Sequence, residues 1–589
     1  MLRPTTLFFS YLSAVFVCLL VILFAGAGFR RQPAALQGHR SSSWCPAVPP
    51  AKPYRPQQII GFDWSSIELK YPISSFIELS RSTPTRRPRV QHTFSKRSFQ
   101  AEATRINRRN SVKRTFQRCW NSYRHRSWLA DELAPLSGEQ KNPFGGFAAT
   151  LIDSLDTLWI MELRDEFEFA VAAAANISFD PETSTLEQIN IFETTIRHLG
   201  GLLAAYDLTG CKDSRLLDKA VQLGDMIYLT FDTENHMPVT RWNPRLAANG
   251  IEQGAASNAI IAELASSSLE MTRLSQVTGD MRYFDVVQRI TNLMEVQQNR
   301  TKLSGMWGIG INLETMDLTQ DGVFSLGAMS DSAYEYLPKM YQLLSGISQA
   351  HQYEKIYNLA ADTIIQHMLF RPMVPDEADI LFPGIVYAEV PDNPLTEPQG
   401  QHLTCFAGGM LALGGRLVQN STHIDFGRKV AEGCFWAYRN SPLGIMPEIF
   451  HTVKCPSLSS CPWNESQWMS ERQSEDLPRG FTSIDDKRYI LRPEAIESVF
   501  YLYRITGDPK WQDYAWEMFS AIEKYTETKL ANAALEDVTQ NPPLQTDSME
   551  SFWMAETLKY FYLVFSEPDL ISLDDYVFNT EAHPLRRPQ

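Results

Sequence analysis

Acidic residues stand at the heads of apolar helical patterns, and that placement is the first chemical signal in this chain. LIDSLDTLWIM carries Asp153 and Asp156 three apart in an otherwise apolar run, so both fall on one helical face. Burying two carboxylates costs several kcal/mol unless they are paired or hydrogen-bonded. IFETTIRHLGGLL opens with Glu193, LGAMSDSAYEYLPKM places Asp331 and Glu335 four apart, and YILRPEAIESVFYLYR places Glu494 and Glu497 three apart beside Arg492. Glu448 ends GIMPE on a Gly/Pro loop, and DSMESFWMAETLKYFYLVFS holds Glu550, Phe552 and Glu556 in an aromatic run. Each acid taken alone has a structural alternative. Glu193 would be favoured by the positive end of a helix dipole, Asp331 could be an N-cap, and Asp153 and Asp156 could cap a turn. Taken together, carboxylates among aromatic rings are what sugar hydrolysis requires. One carboxyl protonates the leaving oxygen, another activates water on the opposite face, and the rings offer flat apolar surfaces to sugar C–H groups. The motifs G-x-x-x-x-G-K-[ST], H-E-x-x-H and G-x-S-x-G are absent, which removes the signatures of nucleotide, zinc-protease and serine-hydrolase chemistry.

These acids need elements that bring them together. LTGCKDSRLLDKAVQLGDMI from Leu208, VTGDMRYFDVVQRITNLM from Val277 and ITGDPKWQDYAWEMFSAI from Ile505 are loose copies of one unit, with a weaker copy from Ser348. Each is a turn, often Thr-Gly-Asp, followed by a helix with apolar residues at i, i+3/i+4 and i+7. Each follows another helix, so the repeated unit is a helical hairpin. Such hairpins form an open solenoid or a closed α/α toroid, and in a toroid the acidic helix heads converge on one funnel. Strand signals are few and short. The expectation is an all-α catalytic domain over about 116–585.

The N-terminus sets the compartment. Leu7–Phe29 holds no charged residue and is long enough to cross ~30 Å of hydrocarbon, beyond the usual signal-peptide core. It reads as an uncleaved signal anchor after a short tail (1–6), with cleavage near Ala25-Gly26-Ala27 as the alternative. Residues 30–115 are Pro-, Ser- and Arg-rich and read as a stem. Within it FDWSSIELKYPISSFIEL is apolar enough to dock. The basic run from Arg81 to Arg114 reads as solvated. A net charge of −14 argues against nucleic-acid binding. Of eight cysteines, Cys18 lies in the anchor and Cys45 in the stem, leaving Cys119, Cys211, Cys405, Cys434, Cys455 and Cys461 for the domain. None forms a C-x-x-C pair, so disulfides are expected rather than zinc. Sequons at Asn176, Asn299, Asn420 and Asn464 agree with a lumenal domain on a type II anchor. In that compartment the thiol near His402 in HLTCF would be oxidised rather than nucleophilic.

TLIDSLDTLWIM, FETTIRHLGGLLAAY, DSAYEYL, HLTCFAGGMLALGG, LRPEAIESVFYLYRITGD and MESFW followed by AETLKY closely resemble glycoside hydrolase family 47, the class I α-1,2-mannosidases, over about 116–585. The resemblance implies an (αα)7 barrel and an inverting, calcium-dependent exo-mannosidase acting on high-mannose N-linked oligosaccharides. It implies Glu193 as general acid, Glu494 as base, and Asp331 and Glu448 as further catalytic carboxyls. It implies Asp153, Arg492, Glu497, Phe552, Glu556, His402 and Met329 around the sugar, Thr580 as a Ca2+ ligand, and a Cys405–Cys434 disulfide. That pair weighs against the degradation-enhancing relatives, which bind glycans with weak or no turnover and form the alternative reading. A Cys455–Cys461 bridge is a local expectation outside the resemblance. Two residues before Asp331 the endoplasmic-reticulum type has arginine; Met329 here points to broader trimming and a Golgi location, because methionine lacks arginine's donors. Ala333 replaces an aromatic, and Pro338 is expected to kink its helix.

Overall fold

The computed structural model describes residues 45–46, 48–80, 88–389 and 393–588. The Leu7–Phe29 span lies outside the described residues, and among those no helix is long and apolar enough to cross a membrane.

Seven helical hairpins close into a ring among the described residues. In each, one helix faces the axis and its partner covers the outside. Leu155–Ile160 pairs with Arg164–Ala174, Gly200–Leu208 with Ser214–Tyr228, and Ser268–Thr278 with Arg282–Gln297. Asp331–Leu343 pairs with Ala350–Thr363, Phe406–Leu417 with Ser421–Asn440, and Glu494–Thr506 with Lys510–Thr526. The last inner helix, Leu558–Val564, packs on the first outer one, Phe99–Arg126. Each inner helix touches the next, and the turn Trp553–Thr557, which leads into the last of them, touches the first, Leu155–Ile160, and closes the ring. The sequence explains the two layers. Ser268–Thr278 is buried at every position, as a helix packed on all sides must be, whereas the outer helices carry one apolar stripe. Gly279 and Gly507 of the Thr-Gly-Asp turns sit at φ +74° and +73°, the left-handed cap that ends a helix and that glycine adopts without strain. Strands are two to six residues long among the described residues.

Pro338 lies inside the helix Asp331–Leu343. One expectation changes here. The stem boundary at 116 falls within Phe99–Arg126, whose Val112, Phe116 and Trp120 are core residues. The basic run is correspondingly not all solvated. Arg105 is buried and meets Glu567 at 2.6 Å, Arg97 meets the same carboxylate at 3.2 Å, and Arg108 meets Asp513 at 2.8 Å.

Before that helix, residues 45–80 run as an extended strap over the outer surface. Trp64 docks in the core beside Trp242 at 5.3 Å, as its apolar setting led us to expect. Outer carboxylates receive strap groups: Asp218 accepts from Tyr54 Oη at 2.6 Å, Asp232 from the Tyr71 N–H at 2.8 Å, and Asp285 from the Ile77 N–H at 2.7 Å. Cys45, assigned to the stem, bonds to Cys211 of the body across 166 residues. Cys405–Cys434 and Cys455–Cys461 are also bridged, and Cys119 is free and buried. A crosslink closing so long a loop restrains the unfolded chain strongly. Cys45→Ser is therefore expected to cost about 3–5 kcal/mol, read as a lower unfolding midpoint together with faster hydrogen exchange in 45–80.

Candidate active site

Short sheets aim the helix heads. Gln399–Gln401, Ile449–Thr452 and Phe481–Asp486 form one antiparallel sheet. His402 follows the first strand, Glu448 precedes the second, and Arg492 and Glu494 follow the third. The His402 N–H donates to the Glu448 carbonyl at 2.9 Å, locking two of these segments together. Likewise Ile189–Asn190, paired with Arg241–Trp242, leads into Glu193. There Asn190 Oδ1 accepts the Phe192 and Glu193 N–H groups at 3.0 and 3.5 Å, satisfying donors that a helix start leaves free. Thr194–Leu199 then continues as a π-helical turn, and a second, Trp553–Thr557, holds Glu556. Such insertions concentrate at functional sites because they re-aim side chains within a helix.

One wall is Glu494. His402 Nδ1 lies 2.9 Å from its Oε2, and Tyr438 Oη meets the other ring nitrogen at 2.7 Å. Arg492 Nη1 is 3.7 Å from Glu494 Oε1, while Arg492 Nε donates to Glu448 Oε2 at 2.5 Å. Burial works to raise the Glu494 carboxyl, but the His402 hydrogen bond and the Arg492 charge outweigh it and hold it below the usual glutamate range. Asp331 differs. Burial pushes its carboxyl up to about 7 against the Ser332 N–H at 2.9 Å, and the charges of Glu335 and Glu494 add to the rise. Two neighbouring carboxyls are thus driven apart, one towards the anion and one towards the acid. Met329 is 50% exposed with φ +77°, two residues before Asp331.

A second carboxyl cluster forms around Glu193. Its side chain is 24% exposed and that of Glu494 12%, so neither is sealed from solvent. Arg197 Nε donates to Glu193 Oε2 at 2.8 Å, its Nη1 lies 2.9 Å from Glu581 Oε1, and its guanidinium covers the Phe552 ring at 5.9 Å. Two residues expected around the sugar are sealed instead. Asp153 is fully buried against His583 and Ser551 at 3.0 and 2.5 Å, and His402 is fully buried behind Glu494. Asp153 ends the short helix Ala149–Asp153, and its partners are His583 of the C-terminal loop, Ser551 and, at 3.6 Å, Arg197.

The floor is acidic. Lys339 pairs with Glu335 and lies 3.3 Å from Glu497, which Tyr560 Oη meets at 3.4 Å. Burial raises Glu497 and Glu556 well above the glutamate range, with Glu335 and Glu494 charges adding at Glu497 and Glu581, Glu494 and Glu497 charges at Glu556. Thr580 comes to this floor in a loop that Asn579 organises. Its Oδ1 accepts the Glu581 and His583 N–H groups at 3.0 and 2.8 Å, and its Nδ2 donates to the Ile196 carbonyl and Glu270 at 2.9 and 2.8 Å. The Thr580 N–H donates to Tyr336 Oη at 3.2 Å. The loop lies against Gly200 and Gly201. A Cβ at Gly201 would stand 2.7 Å from the Ile152 carbonyl oxygen, so Gly201→Ala is expected to cost about 1–3 kcal/mol by overpacking, measured by denaturant unfolding.

Sequence reasoning missed Arg197, Lys339, Tyr438, Glu581 and His583. Two carried a signal: Arg197 stands four residues after Glu193 and Lys339 four after Glu335, the spacing that pairs opposite charges on one helical face. Tyr438 lies on an outer helix, with no local pattern to mark it.

Residues 115–587 match the model of glycosyl hydrolase family 47. The human endoplasmic reticulum mannosyl-oligosaccharide 1,2-alpha-mannosidase is 36% identical over 484 residues, 81% of this chain and 64% of that protein. The human mannosyl-oligosaccharide 1,2-alpha-mannosidase IB is 33% identical, over 81% of this chain and 69% of its own length. The structure of an alpha-1,2-mannosidase from Trichoderma reesei superposes with a TM-score of 0.72 at 33% identity, covering 82% of this chain and 99% of that one. With the ring of hairpins, the two carboxyl clusters and a family match over most of its length, the chain belongs to glycosyl hydrolase family 47, a family of glycosidases.

Proposed function

We propose that this protein removes terminal α-1,2-linked mannose from high-mannose N-glycans, with inversion and with a calcium ion at the funnel floor. The observation that carries the reading is the opposed environment of two adjacent carboxyls: Glu494 is held ionised by His402 and Arg492, while Asp331 keeps a proton near neutrality. Glu494 accepts a proton from the attacking water. Glu193, fixed by Arg197, delivers one to the leaving oxygen from the other wall. Asp331 offers a second reading as the donor, since its carboxyl is the one raised to about 7. Intact catalytic carboxyls on both walls weigh against a glycan-binding protein without turnover.

The floor suits a hard cation. Its donors are oxygens, and buried Glu270 Oε2 and Glu581 Oε2 have no hydrogen-bond partner among the described residues. Thr580 would hold the ion, with glutamates behind it. When bound, calcium supplies positive charge to anchor and polarise hydroxyls of the terminal sugar. The half-exposed Met329 has no donor to restrict one branch, which supports removal of several mannoses and a Golgi location. The relatives named for the endoplasmic reticulum, the expected anchor, the sequons and the disulfides support a lumenal domain of the secretory pathway.

Incubating the protein with a nine-mannose N-glycan tests the reading by product mass. Successive loss of hexoses is expected, with turnover at least about tenfold lower after chelation and restored by Ca2+. No loss of hexose in calcium sinks the activity; full activity after exhaustive chelation sinks the metal; arrest after one mannose sinks the inference from Met329.

A further inference from the structure

Behind Glu193 lies a sealed charge network for which the reaction above has no use. His583 is wholly buried and both its ring nitrogens meet carboxylates: Nε2 is 3.0 Å from Asp153 Oδ1 and Nδ1 is 2.9 Å from Asp156 Oδ2. A neutral imidazole donates from one nitrogen only, so it would turn a lone pair towards one of the two anions. The doubly protonated ring satisfies both. Lys559 Nζ completes the charge balance, 2.8 Å from Asp156 Oδ2, and also donates to the Ala582 carbonyl at 2.7 Å. Two carboxylates thus face two cations in a site closed to water.

One branch of the network leads to Glu193. Asp153 Oδ2 accepts from Ser551 Oγ at 2.5 Å, Ser551 Oγ accepts from Arg197 Nη1 at 3.1 Å, and Arg197 Nε donates to Glu193 at 2.8 Å. Arg197 Nη1 also stands 3.6 Å from Asp153 Oδ2 and 2.9 Å from Glu581. The His583 ring is held in place by the Asn579 loop and by the glycine pair, where a Cβ at Gly200 would come within 2.9 Å of His583 Cδ2. Further charged groups that act on the network are Glu270, Glu581, Asp131, Glu550 and Glu132, whose Oε1 accepts the Ser551 N–H at 3.1 Å, with His198 held low by burial. The His583 imidazole is itself lifted to about 9, because the Asp156 charge and the two carboxylate hydrogen bonds outweigh burial.

We propose that His583 is a positioning residue: as an imidazolium it fixes Asp153 and, through Ser551 and Arg197, sets the angle of the Glu193 carboxyl. The assignment rests on Glu193 as the proton donor. A donor displaced by about 1 Å can lose two orders of magnitude in rate, so a rigid chain of charges behind Glu193 has a catalytic consequence.

His583→Gln and Ser551→Ala test it. Glutamine is uncharged and has one donor nitrogen, so it cannot reproduce the two opposed N–H groups of the imidazolium, and alanine removes the hydroxyl that links Asp153 to Arg197. His583→Gln is expected to lower kcat by about 30–100-fold with KM within about twofold, and Ser551→Ala to lower kcat by about tenfold with the same KM. The double variant is expected to be no slower than His583→Gln, because both cut one chain. A purely structural role predicts kcat per folded molecule unchanged, and independent roles predict effects that multiply; either result overturns the proposal. If His583→Gln does not fold, wild-type kcat in Ser551→Ala overturns it alone. Wild-type protein and Glu193→Gln are assayed in parallel. An inactive wild type, or a fully active Glu193→Gln, refutes the underlying function; an active wild type with unaffected His583→Gln refutes only this inference.

Discussion

Glu193→Gln lowers kcat on a high-mannose glycan by about 10²–10⁴-fold, the worth of a positioned general acid, while KM changes by no more than a few-fold. Glutamine keeps the size and one acceptor of glutamate, so Arg197 still has a partner at the 2.8 Å contact and the wall keeps its shape. What is lost is the transferable proton, which matters only as the glycosidic bond breaks. An interaction confined to the transition state appears in kcat and kcat/KM equally and leaves KM alone. Calorimetry with the variant should therefore still detect glycan binding. A rate within threefold of wild type would remove Glu193 from the chemistry. If Glu193→Gln is mild and Asp331→Asn is severe, the donor is Asp331.

The second large effect is on pH dependence. Glu494 must be ionised to accept a proton, and His402 and Arg492 hold it below the usual glutamate range. Activity therefore rises with pH early, on the acidic side. Asp331 is protonated below about 7. Raising the pH through that value ionises it and sets a third anion beside Glu494 and Glu335, so kcat/KM falls as pH rises past about 7. The profile is a bell whose limbs report the free enzyme. Asp331→Asn is expected to abolish the alkaline limb near neutrality and to lower the plateau by about 10²-fold. Stopped assays of mannose release between pH 4.5 and 8.5 decide the matter. An alkaline limb that survives unmoved in Asp331→Asn belongs to another group.

The acids on the walls were legible because each lies at the head of an apolar helix, where a charge without a purpose is costly. Glu193, Asp331 and Glu494 were found in that way, and the family resemblance attached roles to them. The resemblance also placed Asp153 and His402 around the sugar, and the structure moves both one layer back. Nothing in LIDSLDTLWIM or HLTCF distinguishes a carboxylate or imidazole that touches substrate from one that holds a neighbour. The difference is made by His583, 430 residues from Asp153, and by Tyr438 on an outer helix. The stem was misjudged at its inner edge for a similar reason. Arginine-rich sequence reads as solvated, and beside the local Glu102 it is Glu567 and Asp513, hundreds of residues away, that tie Arg97, Arg105 and Arg108 to the body.

Taken by itself, the sequence determined the hairpin repeat, the all-α class and the carboxyls at the helix heads, while Cys405–Cys434 was implied by the family resemblance and Cys455–Cys461 was a local expectation. These are written in local periodicity, in strings long enough to resemble a family, or in cysteines close along the chain. Tertiary structure decided the closure of the ring, the Cys45–Cys211 clamp on the strap, the division of acids into those open to solvent and those sealed behind them, and the opposed shifts of Asp331 and Glu494. Each of these depends on which distant groups share a buried volume. There the energy of a charge is set by its neighbours rather than by its own type, and neighbours separated by hundreds of residues leave no trace in local pattern.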